Sequence, residues 1–314
     1  IEIISKLPSI YDEPFADSSQ IPTFLVSKLA RNHVTVSLSG DGGDELFGGY
    51  NRYFLANRLW KKISKIPWSI RVFCAKLIHL SNPKIWSLIF NLIPKRYRIS
   101  NPSDKIYKLS KILVSKNIHE VYERLVTHWD NPFEVVLNSK NNIKTNVINF
   151  DFLMPEEEMM LKDSITYLPD DILTKVDRAS MAVSLETRAP FLDKNVIEFA
   201  WKLPFNMKIR NSRGKWILRK ILDRYVPNEL IDRPKMGFGV PIDSWLRGPL
   251  KEWAEDLLSE KRLKSDGYFN VNMIREKWKQ HLSGEQNWQY HLWSVLMFQL
   301  WLDKQENCDL EYVK

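Results

Sequence analysis

Glycines and carboxylates are concentrated in one short segment that follows a predicted strand. Val34, Val36 and Leu38 alternate with polar residues, which is typical of a strand. The segment after it reads Ser39, Gly40, Asp41, Gly42, Gly43, Asp44. Glycine backbone can approach an anion closely, and two carboxylates beside a phosphate require a hard cation such as Mg²⁺ between them. The residues therefore indicate either a nucleotide site with Mg²⁺ or a strand-to-helix turn whose glycines are only structural.

A second segment combines cations with glycines. Arg233 and Lys235 precede Gly237 and Gly239. A lysine beside a transferring phosphate stabilises the negative charge that develops there, although an isolated lysine is more often solvated. Lys235 is therefore a candidate catalytic residue.

A predicted helix beginning near Pro169 carries a polar stripe. Asp177, Ser180, Met181 and Ser184 fall on one face at helical spacing. This face could line a pocket. The alternative is that Asp177 makes an ordinary surface ion pair and that Met181 belongs to the core.

Glu186 and Arg188 alternate along an extended segment that ends at Pro190, because the residue before proline avoids the helical conformation. If Glu186 lies beside the glycine segment, it is a candidate catalytic base or positioning group. The alternative is a buried Glu186–Arg188 pair that holds two helices together.

The segment from Ser39 to Tyr50 resembles the second nucleotide motif of the asparagine synthetase family. Further similarity runs through Leu168–Asp171, Lys175–Met181, Leu185–Asp193, Arg213–Arg219 and Arg233–Pro241. The similarity covers nearly the whole chain and is weakest from about residue 53 to 150. It implies an α/β parent fold with a Rossmann-like parallel sheet of the adenine nucleotide α-hydrolase type. This piece of it is expected to be predominantly α-helical, with one clear strand.

The resemblance also implies a reaction. Asparagine synthetases use Mg²⁺ and ATP to adenylate the side-chain carboxylate of aspartate, and ammonia derived from glutamine then displaces AMP. By resemblance, Ser39, Gly40, Gly42 and Gly43 bind ATP. Asp44 binds the Mg²⁺-pyrophosphate, and Lys235 contacts the α-phosphate.

Two positions depart from the family pattern. Asp41 is a candidate catalytic residue by resemblance, because asparagine synthetases often carry at this position a Glu with a role in forming the intermediate. Related β-lactam-forming synthetases carry Tyr there, which argues against lactam closure. Ser18, Ser19 and Gln20 replace an arginine that some members use for the substrate carboxylate. A related amidotransferase with another acceptor therefore stays an alternative.

Full-length family members begin with a glutaminase domain and a Ser-Gly-Gly-x-Asp-Ser pyrophosphate loop. This chain begins with Ile1 and contains no such loop, so it matches the later part of the synthetase domain. We expect this piece alone to be inactive. A non-catalytic basic fragment that binds a membrane or a partner is the remaining alternative.

Composition gives an ordinary globular class. Of 314 residues, 44% are hydrophobic and 27% are charged, and Cys74 and Cys308 have neither metal-ligand nor CxxC spacing. The apolar run near residues 85–93 is too short for a membrane span, and no signal peptide leads the chain. We expect a cytoplasmic protein.

Residues 51–125 hold 16 Lys and Arg against the acids Asp104, Glu120 and Glu123. Apolar residues interleave with them at spacings typical of short amphipathic helices. Such a stretch is either a membrane or nucleic-acid surface or a solvated helical insert whose lysine stems cover apolar core. The sequence contains no recognisable nucleic-acid motif, so we expect no nucleic-acid partner. The expected partners are small-molecule substrates. The whole protein could form a homodimer.

Three segments are predicted. Residues 1–52 are a remnant of the nucleotide-binding core, residues 53–150 are the basic insert, and residues 151–314 are a helical C-terminal part. The run from Trp288 to Leu302 is apolar on most faces, which predicts a buried helix whose His291 is structural.

Overall fold

A computed structural model of the chain describes residues 1–81, 86, 102–139, 153–231 and 238–312. These residues form two compact units. Unit 1 comprises Ile1–Asn57, Ile148–Val240 and Lys304–Lys314, and unit 2 comprises Arg58–Val147 and Pro241–Asp303. Three consecutive segments are predicted from the sequence, whereas the contacts group Pro241–Asp303 with the basic insert.

The described chain is mostly helical, as predicted. Its first helices are α1 Leu7–Tyr11, α2 Gln20–Arg31, α3 Gly43–Phe47, α4 Asn51–Ile63, α5 Trp68–Leu80, α6 Pro102–Leu113, α7 Ile118–Val126 and α8 Pro132–Val135. The others are α9 Pro155–Ile165, α10 Thr174–Met181, α11 Lys194–Lys202, α12 Phe205–Lys208, α13 Trp216–Leu222, α14 Asn228–Ile231, α15 Ile242–Arg247, α16 Lys251–Leu257, α17 Glu260–Asp266, α18 Val271–Ser283 and α19 Gln289–Tyr312. Short 3₁₀ turns span Ile4–Lys6 and Pro190–Leu192, and a π-helical turn spans Leu168–Leu173.

Unit 1 contains a two-stranded parallel sheet of β1 Val36–Leu38 and β2 Glu186–Arg188. Val36 is paired with Glu186, and Leu38 with Arg188. The sequence predicts one clear strand, whereas the described part of the chain contains two. The second strand lacks the alternation of apolar residues that marks β1, because it consists of Glu, Thr and Arg.

The glycine segment leads into α3, which is anchored in the core of unit 1. Leu46 and Phe47 are buried with Ala200 of α11. Partly buried side chains complete this cluster: Phe191, Ile197, Trp201, Leu203, Ile217 and Leu218. Because α3 is only five residues long, this packing rather than helix propensity holds it in place.

Unit 2 contains the predicted amphipathic helices of the basic insert. They are α5, α6, α7 and α8, and the predictions for residues 82–85, 87–101 and 140–152 lie outside the described residues. In α5, Arg71 is buried and donates to the backbone oxygens of Leu113 and Ser115. Among the described residues no helix is long and apolar enough to cross a bilayer.

The predicted C-terminal helix is confirmed as α19. Leu292, Trp293 and Leu296 are fully buried. Burial lowers the pKa of His291 to about 3, with the nearby Lys277 ammonium acting in the same direction. A histidine held neutral among aromatic rings fits the predicted structural role.

Candidate functional site

The glycine segment begins where the sheet ends. The Ser39 N–H donates to the Arg188 backbone oxygen at 2.8 Å, which extends the ladder one residue beyond β1. The hydroxyls of Ser37 and Thr187 lie 3.3 Å apart across the strands. The parallel partner therefore fixes the point at which Ser39 enters the loop.

A cavity of about 560 Å³ opens beside this loop, entirely within unit 1. Its lining residues are Ser39, Asp41, Pro169, Leu173, Thr174, Val176, Asp177, Arg178, Thr187, Ala189 and Leu192. The Ser39 hydroxyl oxygen is buried and has no hydrogen-bond partner in the structure. A buried hydroxyl without a hydrogen-bond partner is energetically unfavourable. A ligand that hydrogen-bonds to this oxygen would remove that unfavourable free energy.

Two of the loop glycines have different environments. Gly42 has a φ of +84°, and a Cβ there would overlap the Leu192 side chain, so both backbone and packing require glycine. Gly40 has open space around its Cβ position. Gly40 is therefore accessible to a ligand, whereas Gly42 shapes the turn.

Asp44 faces a lysine that the sequence prediction did not assign to the site. The Lys215 Nζ atom lies 3.0 Å from Asp44 Oδ2, and both side chains are about three-quarters buried. Lys215 adopts the left-handed conformation with a φ of +56°, and its N–H donates to the Phe47 oxygen at 2.7 Å. The ammonium lies so close to Gly43 that a Cβ there would be 3.6 Å from Nζ.

Glycines allow residues 48–49, after α3, to pack closely against residues 214–215, before α13. A Cβ at Gly214 would overlap the backbone carbonyl of Gly48, and a Cβ at Gly49 would overlap the Asp44 carboxylate. The backbone of residues 214–215 therefore lies directly against residues 48–49. This close approach is what allows a lysine on the segment before α13 to reach a carboxylate on α3.

A polar network continues from α3 into α4. Tyr50 donates its hydroxyl to Glu45 Oε1 at 2.7 Å, and burial raises the pKa of both groups. The Arg52 guanidinium carbon lies 4.1 Å from the Tyr50 ring centroid and 4.4 Å from that of Tyr167. Arg52 also forms two hydrogen bonds with Asp163, at 2.6 and 3.0 Å. This network fixes the residues that follow the glycine segment.

The polar loop before α2 meets α10 through a buried ion pair. Lys175 Nζ lies 2.5 Å from Asp17 Oδ2 and 3.8 Å from Asp171 Oδ1. Burial would raise the pKa of Asp17, but the Lys175 ammonium and the donors of Ser19 hold it below its usual value. Burial and the Asp17 charge raise the pKa of Asp171 to about 6.

The structure brings Ser39 and Asp41 to the cavity, and it places Asp44 beside Lys215. Glu186 is paired with Val36 near the start of both strands and does not line the cavity. Its carboxylate forms a 2.7 Å ion pair with Arg188, and both side chains are more than half exposed. The predicted buried pair between helices is therefore wrong, because both residues lie in one exposed strand.

The predicted stripe on the helix after Pro169 is also wrong. Helix α10 ends at Met181, and Ser184 lies beyond it with a φ of +57°. Met181 is 58% exposed and Ser180 is buried, so neither the pocket stripe nor a core Met181 is formed. Asp177 does line the cavity, together with Arg178. Lys235 lies outside the described residues, and its role stays a prediction.

No group of three or more His, Cys, Asp or Glu residues within the described ranges could hold a metal ion. This does not conflict with the predicted Mg²⁺ site. Mg²⁺ is commonly held by one or two carboxylates together with substrate phosphates. Asp44 could supply one such carboxylate.

Comparison with known proteins identifies the family. Residues 1–303 match the family model for asparagine synthase. The chain is 33% identical over 303 residues to asparagine synthetase [glutamine-hydrolyzing] 1 of Bacillus subtilis (strain 168), which covers 96% of this chain and 46% of that protein. It is 32% identical over 310 residues to a putative asparagine synthetase [glutamine-hydrolyzing] of Mycobacterium tuberculosis (strain ATCC 25618 / H37Rv), with 96% and 44% coverage.

The chain therefore belongs to the asparagine synthase family. A shorter match, 34% identical over 181 residues, is to a putative asparagine synthetase [glutamine-hydrolyzing] 2 of Methanocaldococcus jannaschii, covering 57% of this chain and 32% of that protein. The chain thus spans less than half the length of these curated relatives.

Proposed function

We propose that this chain is the later part of the synthetase domain of a glutamine-hydrolysing asparagine synthetase. The complete enzyme would adenylate the side-chain carboxylate of aspartate and release asparagine, AMP and pyrophosphate. The observation that carries the proposal is the loop Ser39–Asp44, which leaves the end of a parallel strand, borders the cavity and presents Asp44 to Lys215.

ATP fits the residues around this loop. The buried Ser39 hydroxyl lacks a partner, and a phosphate or ribose oxygen would supply one. Gly40 leaves room for close approach to its backbone. Asp177 and Arg178 also line the cavity, where they could orient a polar ligand.

Mg²⁺ fits one position, the Asp44 carboxylate. When bound, the ion would neutralise charge on the leaving pyrophosphate. Lys215 already places a cation at that carboxylate, 3.0 Å away, and can instead face the phosphates once Mg²⁺ is present. The chain therefore keeps the Asp44 charge compensated before the nucleotide binds.

The acceptor amino acid is proposed to bind near the loop that precedes α2. Ser19 caps the Asp17 carboxylate through its N–H and hydroxyl, at 2.9 and 2.7 Å. Gln20 is fully buried, and its Oε1 atom has no hydrogen-bond partner. This loop is therefore held rigidly by buried polar contacts, which suits a segment that must select an amino acid.

The test is the identity of the products. We expect the complete synthetase, given ATP, aspartate and glutamine, to form AMP and pyrophosphate, because adenylation makes AMP the leaving group. Ser39→Ala should lower ATP affinity, whereas Ser37→Ala, two residues earlier in β1, serves as the matched control. Formation of ADP and inorganic phosphate would contradict the proposal.

Lys235 gives a second, sequence-based test of the same proposal. If its charge acts mainly in the transition state, Lys235→Ala should lower kcat by about 100-fold or more and leave ATP affinity nearly unchanged. An equal loss in both would make Lys235 a binding residue.

A further inference from the structure

Helix α5 carries an apolar row that faces solvent. Ile70, Phe73, Leu77 and Leu80 follow one another at steps of three, four and three residues, which places them on one side of the helix. Their side chains are 51%, 62%, 51% and 84% exposed. A row of four large apolar side chains at this exposure is unusual for a surface helix, whose apolar face normally packs on the core.

The orientation of this row is fixed by the opposite side of α5. Arg71 and Ala75 are buried there, and α5 packs against α6. The Arg71 guanidinium donates at 3.2 Å to Leu113 and at 2.7 Å to Ser115, both to backbone oxygens at the end of α6. Rotation of α5 to bury the apolar row would break these bonds and expose a buried cation.

The sequence that contains the row is basic. From residue 46 to residue 103 the sequence contains 11 Lys and Arg and no Asp or Glu. Five of these cations are exposed: Arg58, Lys61 and Lys62 on α4, Lys65 before α5, and Lys76 on α5. None of the ion pairs between described residues involves them. Their charges are therefore uncompensated by neighbouring carboxylates within the described chain.

We propose that this surface docks on an anionic lipid bilayer. We define the α5 face as the apolar row Ile70, Phe73, Leu77 and Leu80 together with Lys65, just before α5, and Lys76, on α5 itself. A helix with an apolar row and a basic border lies in the bilayer interface, with its apolar side chains about 5–10 Å deep among the acyl chains. Each cation near an anionic leaflet adds attraction that falls off within a Debye length.

Two other occupants fit the α5 face less well. A nucleic acid would satisfy the cations but would leave four large aliphatic and aromatic side chains against phosphates, without a pocket for bases. A second copy of the chain would cover the apolar row but would bring two basic surfaces into contact. Of these three occupants, an anionic bilayer matches both the apolar row and the cations next to it.

The proposal is tested by co-sedimentation of the 314-residue chain with vesicles. Vesicles of phosphatidylcholine alone are compared with vesicles containing about one-third phosphatidylglycerol. We expect binding to the anionic vesicles at least tenfold stronger than to the neutral ones, with a loss of binding between 0.1 and 0.5 M salt. Equal binding to both, or binding to neither, would overturn the proposal.

Substitutions separate the two components of the surface. Phe73→Ser with Leu77→Ser should weaken binding to anionic vesicles at least tenfold without lowering Tm, because both side chains are exposed. Lys65→Gln with Lys76→Gln should weaken binding to anionic vesicles by roughly 25-fold, about fivefold for each charge. The matched control is Leu25→Ser with Leu29→Ser, which removes two similarly exposed leucines from α2 and should leave binding unchanged.

Cys74 provides a direct probe of depth, since it is an exposed free cysteine on α5. An environment-sensitive fluorophore attached at Cys74 in a Cys308→Ser background should shift to shorter wavelength when anionic vesicles are added. An unshifted spectrum on bound protein would overturn the proposal. A second result would also overturn it: duplex DNA displaces the vesicles from the protein, and the Phe73 and Leu77 substitutions do not weaken DNA binding. That result would assign the surface to nucleic acid.

Discussion

Lys215 reaches Asp44 through an unusual backbone conformation. Its φ of +56° is rare for a residue other than glycine, and the contact of Gly214 with the Gly48 carbonyl leaves no room for a side chain at position 214. A strained residue is retained where its side chain is useful. At this position the backbone strain places an ammonium beside the carboxylate proposed to hold Mg²⁺.

We expect Lys215→Met to affect two ligands in opposite directions. Removal of the ammonium should weaken ATP binding roughly 10- to 100-fold, because a charge-assisted contact to phosphate is lost. The same change should strengthen Mg²⁺ binding in the absence of nucleotide, because no ammonium competes for Asp44. Isothermal titration with each ligand measures both effects.

Lys220→Met is the matched control, because Lys220 lies on α13 and pairs with Asp223 at 3.1 Å in an exposed position. It should change neither affinity. If Lys215→Met weakened both ligands equally, Lys215 would be a structural support of the site rather than a competitor for the carboxylate.

Two glycine substitutions distinguish packing from ligand contact. Gly214→Ala should destabilise the fold by about 1–3 kcal/mol, since its Cβ would meet backbone that cannot give way. Gly40→Ala should change stability by less than about 0.5 kcal/mol, because its Cβ position is open, and yet weaken ATP binding. Thermal unfolding and nucleotide titration of both variants check this. A stable Gly214→Ala protein would show that residues 48 and 214 can separate freely.

At the scale of elements, β1, the start of the following helix and the extended segment at β2 were predictable, whereas the pairing of β2 with β1 was not. Strand β1 shows an alternation of apolar and polar residues, and glycine marks its end. The extended conformation of β2 was predicted from Pro190, but its pairing with β1 spans about 150 residues and no local pattern encodes it. The same limit applies to Lys215, whose partner Asp44 lies far away in the sequence. The resemblance of the motif identified the glycine loop. The fold shows that the Lys215 ammonium lies beside Asp44 of that loop.

The contact between the loop before α2 and α10 makes stability depend on pH. The pKa of Asp171 is about 6 in the folded protein, above its ordinary value of 3.8, so the folded state binds this proton more tightly than the unfolded chain. The contribution of Asp171 to stability is therefore complete below about pH 3.8 and is lost as pH rises through 6. Asp17 acts in the opposite sense, because its pKa is lowered and its contribution is lost on acidification.

We expect Asp171→Asn to raise Tm at pH 8 and to leave Tm nearly unchanged near pH 4. An amide resembles the protonated carboxyl, which can donate to Asp17, and it carries no charge that must be buried at high pH. A gain of about 1 kcal/mol would raise Tm by roughly 2–4 °C for a unit of this size. Asp170→Asn, an exposed neighbour, should show no such pH-dependent difference. A lower Tm at pH 8 would mean that the Lys175 ammonium depends on the Asp171 charge.

At the scale of the whole molecule, the sheet leaves apolar side chains uncovered. Val36 and Leu38 of β1 are 40% and 73% exposed, and Leu25 and Leu29 of the preceding helix are more than half exposed. Parallel sheets are normally covered on both faces. That this sheet is part of a larger one stays a prediction from the family resemblance, because β1 by itself is compatible with several strand environments.

We expect the 314-residue chain alone to release no pyrophosphate from ATP with aspartate and ammonia. Within the described residues, a single strand pairs with the strand that precedes the Ser39 loop, and a displacement of about 1 Å in such a site can lower a rate about 100-fold. The uncovered strand should also bind the dye 8-anilinonaphthalene-1-sulfonate. Val36→Thr with Leu38→Thr should reduce that binding and keep Tm, whereas Leu46→Thr, in the core beside Ala200, should lower Tm. Pyrophosphate release above background by the chain alone would show that two strands hold the loop well enough for catalysis.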